Sequence, residues 1–223
     1  MKKYKVLNLY ACLGGNRYKW DEVADEAGID LEVTAVELDE ELAKLYQERF
    51  PNDIVIVGDA HQYLLDHYKD FDFIWSSPPC PTHSRARYWG FGANGKNPIY
   101  PDMKLYQEII FLEHHCKTLY VVENVIPYYE PMFKPKKRDR HLYWTNFSLP
   151  INISNRHFNG MSQAKNEVKK LCDFHDYDFN NYKGKQPINK IARNLVDYEA
   201  GRTIFETALG IYQDKNKEQL KMF

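Results

Sequence analysis

The sequence predicts an α/β fold, a mostly parallel sheet flanked by helices, with one ligand crevice along the carboxyl edge of its strands. Two observations predict it. Short apolar runs alternate with helix-patterned stretches from residue 5 to residue 125. Successive runs also stop at residues suited to a ligand: Gly14-Gly15, Glu37, Asp59 and then Cys80. Strands that alternate with helices form parallel sheets, and open parallel sheets bind ligands just outside the carboxyl ends of their strands.

Composition narrows the class. At 223 residues, 43% hydrophobic and 27% charged, the chain has the makings of one well-buried globular domain. A net charge of −1 excludes a polycation, so a nucleic-acid partner has to be met by a local basic patch. Cys12, Cys80, Cys116 and Cys172 are far apart and form no C-x-x-C pair. That spacing argues against a zinc ribbon or a disulfide framework and for a reducing compartment. No signal-type or membrane-length apolar run is present, so the expectation is a cytoplasmic protein with no membrane partner.

The run 5–10 reads as the first buried strand and leads into Ala11-Cys12-Leu13-Gly14-Gly15. Glycines after a strand let a ligand approach the backbone, although a lone Gly-Gly equally marks a simple turn. A short helix follows over 20–27, stopped by Gly28. The second strand, 31–36, ends at Glu37, about 20 residues after the glycine turn, where nucleotide-binding α/β folds place a ribose-binding carboxylate. Asp39 reads as the N-cap of a helix reaching Arg49, with Leu42, Leu45, Tyr46 and Phe50 at helical spacing. The third strand is 54–57. Asp59 behind it suits either of two roles, capping the helix 61–68 or receiving a ligand amino group.

The fourth run, Phe73-Ile74-Trp75, ends in Ser76-Ser77-Pro78-Pro79-Cys80-Pro81. Prolines on both sides hold Cys80 in an extended or turn backbone at a strand end. The connection 85–101 is long, and in it Arg85 and Arg87 flank Tyr88, Trp89 and Phe91, which suits phosphate contact with base stacking and a lid beside Cys80. A helix over 102–116 and a fifth strand, 119–122, lead to Glu123-Asn124-Val125. Five of the seven residues 134–140 are basic and run into a strand-like stretch from His141, an arrangement that would point Arg138 and Arg140 to one side. From 146 to 190 the periodicity dissolves. His157, Cys172, His175 and Asp176 match no strong zinc spacing there. Arg193 to Asp197 introduce a last helix, 198–212, with Ala200, Ile204, Ala208 and Ile211 on one face, before a charged tail.

In this order the motifs resemble the DNA (cytosine-5)-methyltransferase family, in a small form with a reduced target-recognition region. Asn8 to Gly15 is similar to its S-adenosylmethionine loop, Pro79-Cys80 to its catalytic Pro-Cys, Glu123-Asn124-Val125 to its Glu-Asn-Val and Arg138-Asp139-Arg140 to its Arg-x-Arg. Three departures stand out: Asn8 where the family has Asp, Cys12 where it has Gly, and Pro81 where it has Gln. The resemblance implies a Rossmann-like class I methyltransferase fold with a small irregular insertion. Residues 1–145 and 190–223 would form the catalytic domain, and 146–189 a target-recognition-like segment.

The resemblance further implies S-adenosylmethionine as cofactor, held by Tyr10, Ala11, Cys12, Gly14, Gly15, Glu37, Leu38, Asp59, Ala60, Pro79, Asn194 and Val196. Catalysis would fall to Cys80, Glu123, Arg138 and Arg140, nucleic-acid contact to Ser84, Arg85 and Arg87, and no metal is called for. Cys80 would add to C6 of cytosine, Glu123 would donate to N3, and the arginines would meet O2. The expected partner is double-stranded DNA, whose target base must be flipped out. The alternatives are RNA, as in the tRNA-methylating branch, or a non-catalytic nucleic-acid-binding role. So short a chain also leaves room for a partner subunit that recognises the target.

Overall fold

A computed structural model describes residues 3–85, 99–155, 166–180 and 182–214. Its sheet has seven strands: β1 (Lys3–Leu9), β2 (Asp30–Glu37), β3 (Ile54–Val57), β4 (Phe73–Ser76), β5 (Leu119–Val125), β6 (Lys136–Arg138) and β7 (His141–Thr145), in the order β3-β2-β1-β4-β5-β7-β6. The first five are parallel, and β7 and β6 close that end of the sheet antiparallel. From β1 the chain winds outward to β3, then returns to the other side of β1 as β4. This reversal opens a crevice at the carboxyl ends of β1 and β4, where open α/β sheets hold ligands.

Burial on both faces explains the near-continuous apolar strands. Side chains alternate along each strand, so Leu7, Leu9, Ile74 and Val122 pack on one face with Leu105, Ile109 and Leu112 of the helix α4 (Lys104–His115). Val6, Phe73, Trp75 and Val121 pack on the other face with Trp20 and Val23 of α1 (Trp20–Ala27) and with Ile204 and Phe205 of α7 (Tyr198–Ala208). The expected caps are made. Asp39 accepts from the Glu41 and Leu42 amides at the head of α2 (Glu40–Arg49), and Asp59 accepts from the His61 and Gln62 amides at the head of α3 (Ala60–His67). No helix among the described residues is long and apolar enough to cross a membrane.

Three local expectations are corrected. The last helix ends at Ala208, because the chain turns at Gly210 (φ 73) and Ile211 leaves the helical face. Arg138 and Arg140 do not share a strand: Asp139 (φ 45) reverses the chain between them, and Arg138 pairs with His141 across a hairpin. The aperiodic stretch contains helix α5 (Glu167–His175), followed by α6 (Ile188–Asn194). Leu171, Phe179, Ile191 and Leu195 from this region pack on Leu13 and against Leu42 and Leu45 of α2. Glu41 anchors the region from below, accepting from the Tyr182 hydroxyl and from the Lys185 amide at 2.9 Å.

The C-terminal segment reaches the first motif through two glycines. A Cβ on Gly15 would stand 2.3 Å from the Val196 carbonyl oxygen, and one on Gly201 would stand 2.2 Å from that of Asn16. Backbone therefore lies on backbone at both points. The Gly201 carbonyl also accepts from the buried Trp20 indole at 3.2 Å. Gly201→Ala tests the contact, because alanine ordinarily favours a helix interior by about 1 kcal/mol. Here overpacking should dominate and lower the unfolding free energy by about 1–3 kcal/mol in urea denaturation. A stabilised variant would show that α7 does not press on Asn16.

Candidate active site

The crevice is a cavity of about 580 Å³. Its walls are the strand ends, at Tyr10, Glu37, Ser77 to Pro81 and Glu123, together with the returning segment Asn194 to Val196. One half is built around Glu37. Its two oxygens accept the Cys12 amide at 2.8 Å and the Asp39 amide at 3.0 Å. A carboxylate offers about four lone-pair directions, so two remain for ligand hydroxyls. Leu38, 71% exposed, adds an apolar surface beside it. Asp59 also lines this half, with one oxygen capping α3 and the other 3.2 Å from the Lys104 ammonium. A carboxylate for vicinal hydroxyls, an apolar face and a second acid form a donor set that fits an adenosine-type ligand.

The loop after β1 is held in an unusual backbone. Tyr10 (φ 57) and Cys12 (φ 47) both lie in the left-handed region, which is costly for residues with a Cβ and persists only where the surroundings over-determine it. Those surroundings are visible. The Tyr10 hydroxyl donates to Glu108 at 2.5 Å, the Ala11 amide to Val36, and the Cys12 amide to Glu37. Asn8, the departure from the family's Asp, is buried and accepts from the Asn16 amide group at 2.8 Å, so no unpaired charge is left inside.

The other half is built around Cys80. Its loop is tied to β5 by Asn124, whose buried side-chain amide donates to the Pro78 carbonyl at 2.9 Å. The His83 and Ser84 amides both donate to the Cys80 carbonyl at 3.0 Å, closing one tight turn behind the thiol. Burial and then the nearby Glu123 push the Cys80 thiol up to about 11, so at neutral pH it rests protonated. Glu123 is buried, and its Oε1 lies 3.6 Å from Nε2 of His141 at the start of β7.

The structure brings most of the nominated residues together. Tyr10, Cys12, Glu37, Leu38, Asp59, Ala60, Pro79, Cys80, Glu123, Asn194 and Val196 all line the one cavity. Ala11 lies buried beneath the loop, while Gly14 faces Phe50 and Tyr46 and Gly15 faces Val196, so these three are packing residues and do not line the cavity. Ser84 pairs with Pro127, and the Arg85 guanidinium donates to the Pro127 carbonyl at 3.2 Å. Arg87, with most of the expected lid, lies outside the described residues, as does His157.

Neither arginine of the Arg-x-Arg motif lines the cavity. The Arg138 guanidinium donates to the Lys137 carbonyl at 2.8 Å, to that of Leu149 at 2.9 Å and to that of Pro150, and so braces the hairpin. Arg140 is exposed at the turn. Among the described residues, no cluster of three His, Cys, Asp or Glu side chains is placed to hold a metal ion.

Sequence reasoning missed Glu108 and His141. Glu108, fully buried in α4, receives the hydroxyls of Tyr10 and Ser76, at 2.5 and 2.6 Å, and faces His61 Nδ1 at 3.0 Å. That bond with Glu108 raises the His61 pKa above its ordinary value. A signal was available: Glu108 falls on the same helical stripe as Leu105, Ile109 and Leu112, and an acid on a buried stripe calls for partners. His141 carried no comparable signal, because its register against β5 is set by the hairpin.

A larger open cleft of about 1050 Å³ lies on the α1–α7 side. Its acids Glu22, Glu26 and Glu206 are paired with Arg202, and no strand end reaches it.

Comparison with known proteins bears on the fold and the family. No curated protein matches the chain. The Entamoeba histolytica methyltransferase EhMeth superposes over 96% of this chain and 100% of its own, with a TM-score of 0.56 at 9% identity, a likeness of fold. The Spodoptera frugiperda DNMT2 mutant E260A/E261A/K263A is 25% identical over 55% of this chain, with a TM-score of 0.38, and this chain spans 36% of its length. The model of the C-5 cytosine-specific DNA methylase family matches residues 4–126, more than half of the chain, and the protein belongs to that family.

Proposed function

We propose that this protein methylates C5 of cytosine in double-stranded DNA through a covalent bond between Cys80 and C6 of the base. One observation carries the reading. Cys80 and Glu123 share a cavity with Glu37, the nucleophile and the acid at one end and the ribose-type carboxylate at the other. S-adenosylmethionine is the methyl donor, and when bound it supplies an electrophilic methyl group. Glu37, Leu38, Asp59 and the segment Asn194 to Val196 would hold it, with its reactive end toward Cys80.

The rest of the chemistry belongs to the side chains. C5 of cytosine is a weak nucleophile until C6 is saturated. As the Cys80 proton passes to the neighbouring Glu123 carboxylate, the sulfur forms its bond to C6, and the displaced ring electron pair collects toward N3. Glu123, buried against the same wall, transfers its proton to N3, leaving an enamine-like ring whose C5 accepts the methyl group. Loss of the C5 proton to solvent restores the ring double bond, Cys80 departs as thiolate, and the proton that N3 returns to Glu123 goes back to the Cys80 sulfur. A resting thiol pushed up to about 11 keeps the nucleophile silent until the base is in place.

Without substrate, alkylation of Cys80 by iodoacetamide should rise about tenfold per pH unit from pH 7 to 10, because only the thiolate reacts. Peptide mass spectrometry separates Cys80 from Cys116 and Cys172. A rate half-maximal near pH 8.5 and level by about pH 10 would show an ordinary, unburied thiol.

Cys80→Ala should abolish methyl transfer while S-adenosylmethionine still binds, since Cys80 attacks the base and does not hold the donor. Tritiated methyl incorporation into duplex DNA and into tRNA, read side by side, tests the activity and separates the two substrates. Retained turnover in the variant would reject Cys80 as nucleophile, and incorporation into tRNA alone would move the substrate to RNA.

Glu37→Ala should weaken S-adenosylmethionine binding by about tenfold to a hundredfold, through loss of charge-assisted hydrogen bonds of about 1.5–3 kcal/mol. Calorimetry checks it, and an unchanged dissociation constant would return Glu37 to a purely structural role in the loop.

A further inference from the structure

Glu123 needs a donor that steadies its charge, and most basic residues near the cavity have partners of their own. The Arg138 guanidinium is committed to the carbonyls of Lys137, Leu149 and Pro150, Arg140 is exposed at the hairpin turn, and neither lines the cavity. Among the described residues, the basic side chains that do line it are Lys104, Lys190, Arg193 and His141. Lys104 pairs with Asp59 at 3.2 Å, Arg193 pairs with Glu167 at 2.6 Å, and the Lys190 ammonium lies 3.4 Å from the Gln186 side-chain oxygen. That leaves His141, and the register of the sheet explains its position. His141 is paired with Val125 on β5, and Glu123 lies two residues back along β5. Residues two apart on a strand share a face, and such diagonal neighbours are within reach of long side chains. The result is Nε2 of His141 at 3.6 Å from Oε1 of Glu123, with the Glu123 side chain 8% exposed and that of His141 32% exposed.

We propose that His141 is a positioning residue of this site, the Nε2–H donor that supports Glu123 where that acid meets N3 of the flipped cytosine. This rests on the cytosine-methylating reading of the cavity. When the Cys80 sulfur bonds to C6 and N3 takes the proton of Glu123, a buried carboxylate is left behind. His141 in its Nε2–H form donates a hydrogen bond to that carboxylate without giving up its proton. At elimination N3 returns the proton to Glu123, and His141 ends as it began. A separation of 3.6 Å is longer than a hydrogen bond, as catalytic contacts often are before substrate binds.

His141→Leu and His141→Gln form the test, in single turnover on whichever cytosine substrate, duplex DNA or tRNA, the unmutated chain methylates. His141→Leu should lose on the order of 10²–10³-fold in the single-turnover rate, the loss seen when one preorganised donor is removed. Its dissociation constant for S-adenosylmethionine should stay within about twofold, because His141 acts on Glu123 and not on the methyl donor. His141→Gln, whose amide keeps an N–H at similar reach, should recover to within about tenfold of the original rate. Should the leucine variant not fold, His141→Asn, whose shorter amide cannot reach Glu123, takes its place with the same expectation. An active enzyme whose rate is indifferent to loss of the donor overturns this inference alone. An unmutated chain that methylates cytosine in neither substrate overturns the proposed function, and this inference with it.

Discussion

The close contact of the Val196 backbone with Gly15 is the constraint on which the rest of the site depends. It brings the end of the chain onto the loop that follows its first strand, across most of the sequence. A second contact of the same kind, Gly201 on Asn16, fixes the direction of the last helix. Because both contacts are backbone on backbone, any side chain at either glycine would force them apart, and the Asn194 to Val196 wall stands where they place it. Trp20 then fills the space beneath, its indole bonded to Gly201 and its ring against Phe73, Trp75 and Phe205.

The opposite wall is held by buried polar groups. Asn124 bonds to Pro78, so the thiol loop and the Glu123 strand move as one body. Glu108 draws Tyr10 and Ser76 from adjacent strand ends to a single carboxylate. Buried groups of this kind contribute little net stability when satisfied and cost a great deal when broken. They therefore act chiefly to hold one geometry of the cavity walls. A further buried group, the Arg17–Asp53 pair joined by the Tyr46 hydroxyl, serves the same end beneath the first loop.

This arrangement also accounts for the resting chemistry. The thiol faces a neighbouring carboxylate, and burial favours its neutral form. An ionised cysteine would be open to oxidation, whereas this thiol rests neutral. The contact between Glu123 and His141 places an acid and a donor on the same wall before any substrate arrives.

Much of this was legible in the amino-acid order alone. The alternation of strands and helices, the caps Asp39 and Asp59, and the placement of Glu37, Cys80 and Glu123 at strand ends follow from local pattern, because parallel strands all bring their carboxyl ends to one edge. What local pattern could not show was which long-range backbones touch and which way a basic side chain turns. Gly14 and Gly15 read as a ligand cradle and are packing surfaces, since only the fold reveals Phe50, Tyr46 and Val196 against them. Arg138 and Arg140 read as one charged side of a strand, until the turn at Asp139 sent the first to the carbonyls around Leu149 and the second to solvent. The helix at Glu167–His175 was hidden because its apolar residues are few and are completed by Leu42 and Leu45 of another helix. The sequence by itself determined the fold class and the chemistry at the strand ends, which are local properties of residue type and spacing. Tertiary structure alone decided which donor faces Glu123 and what closes the cavity, because sheet register and backbone contact depend on residues far apart in the chain.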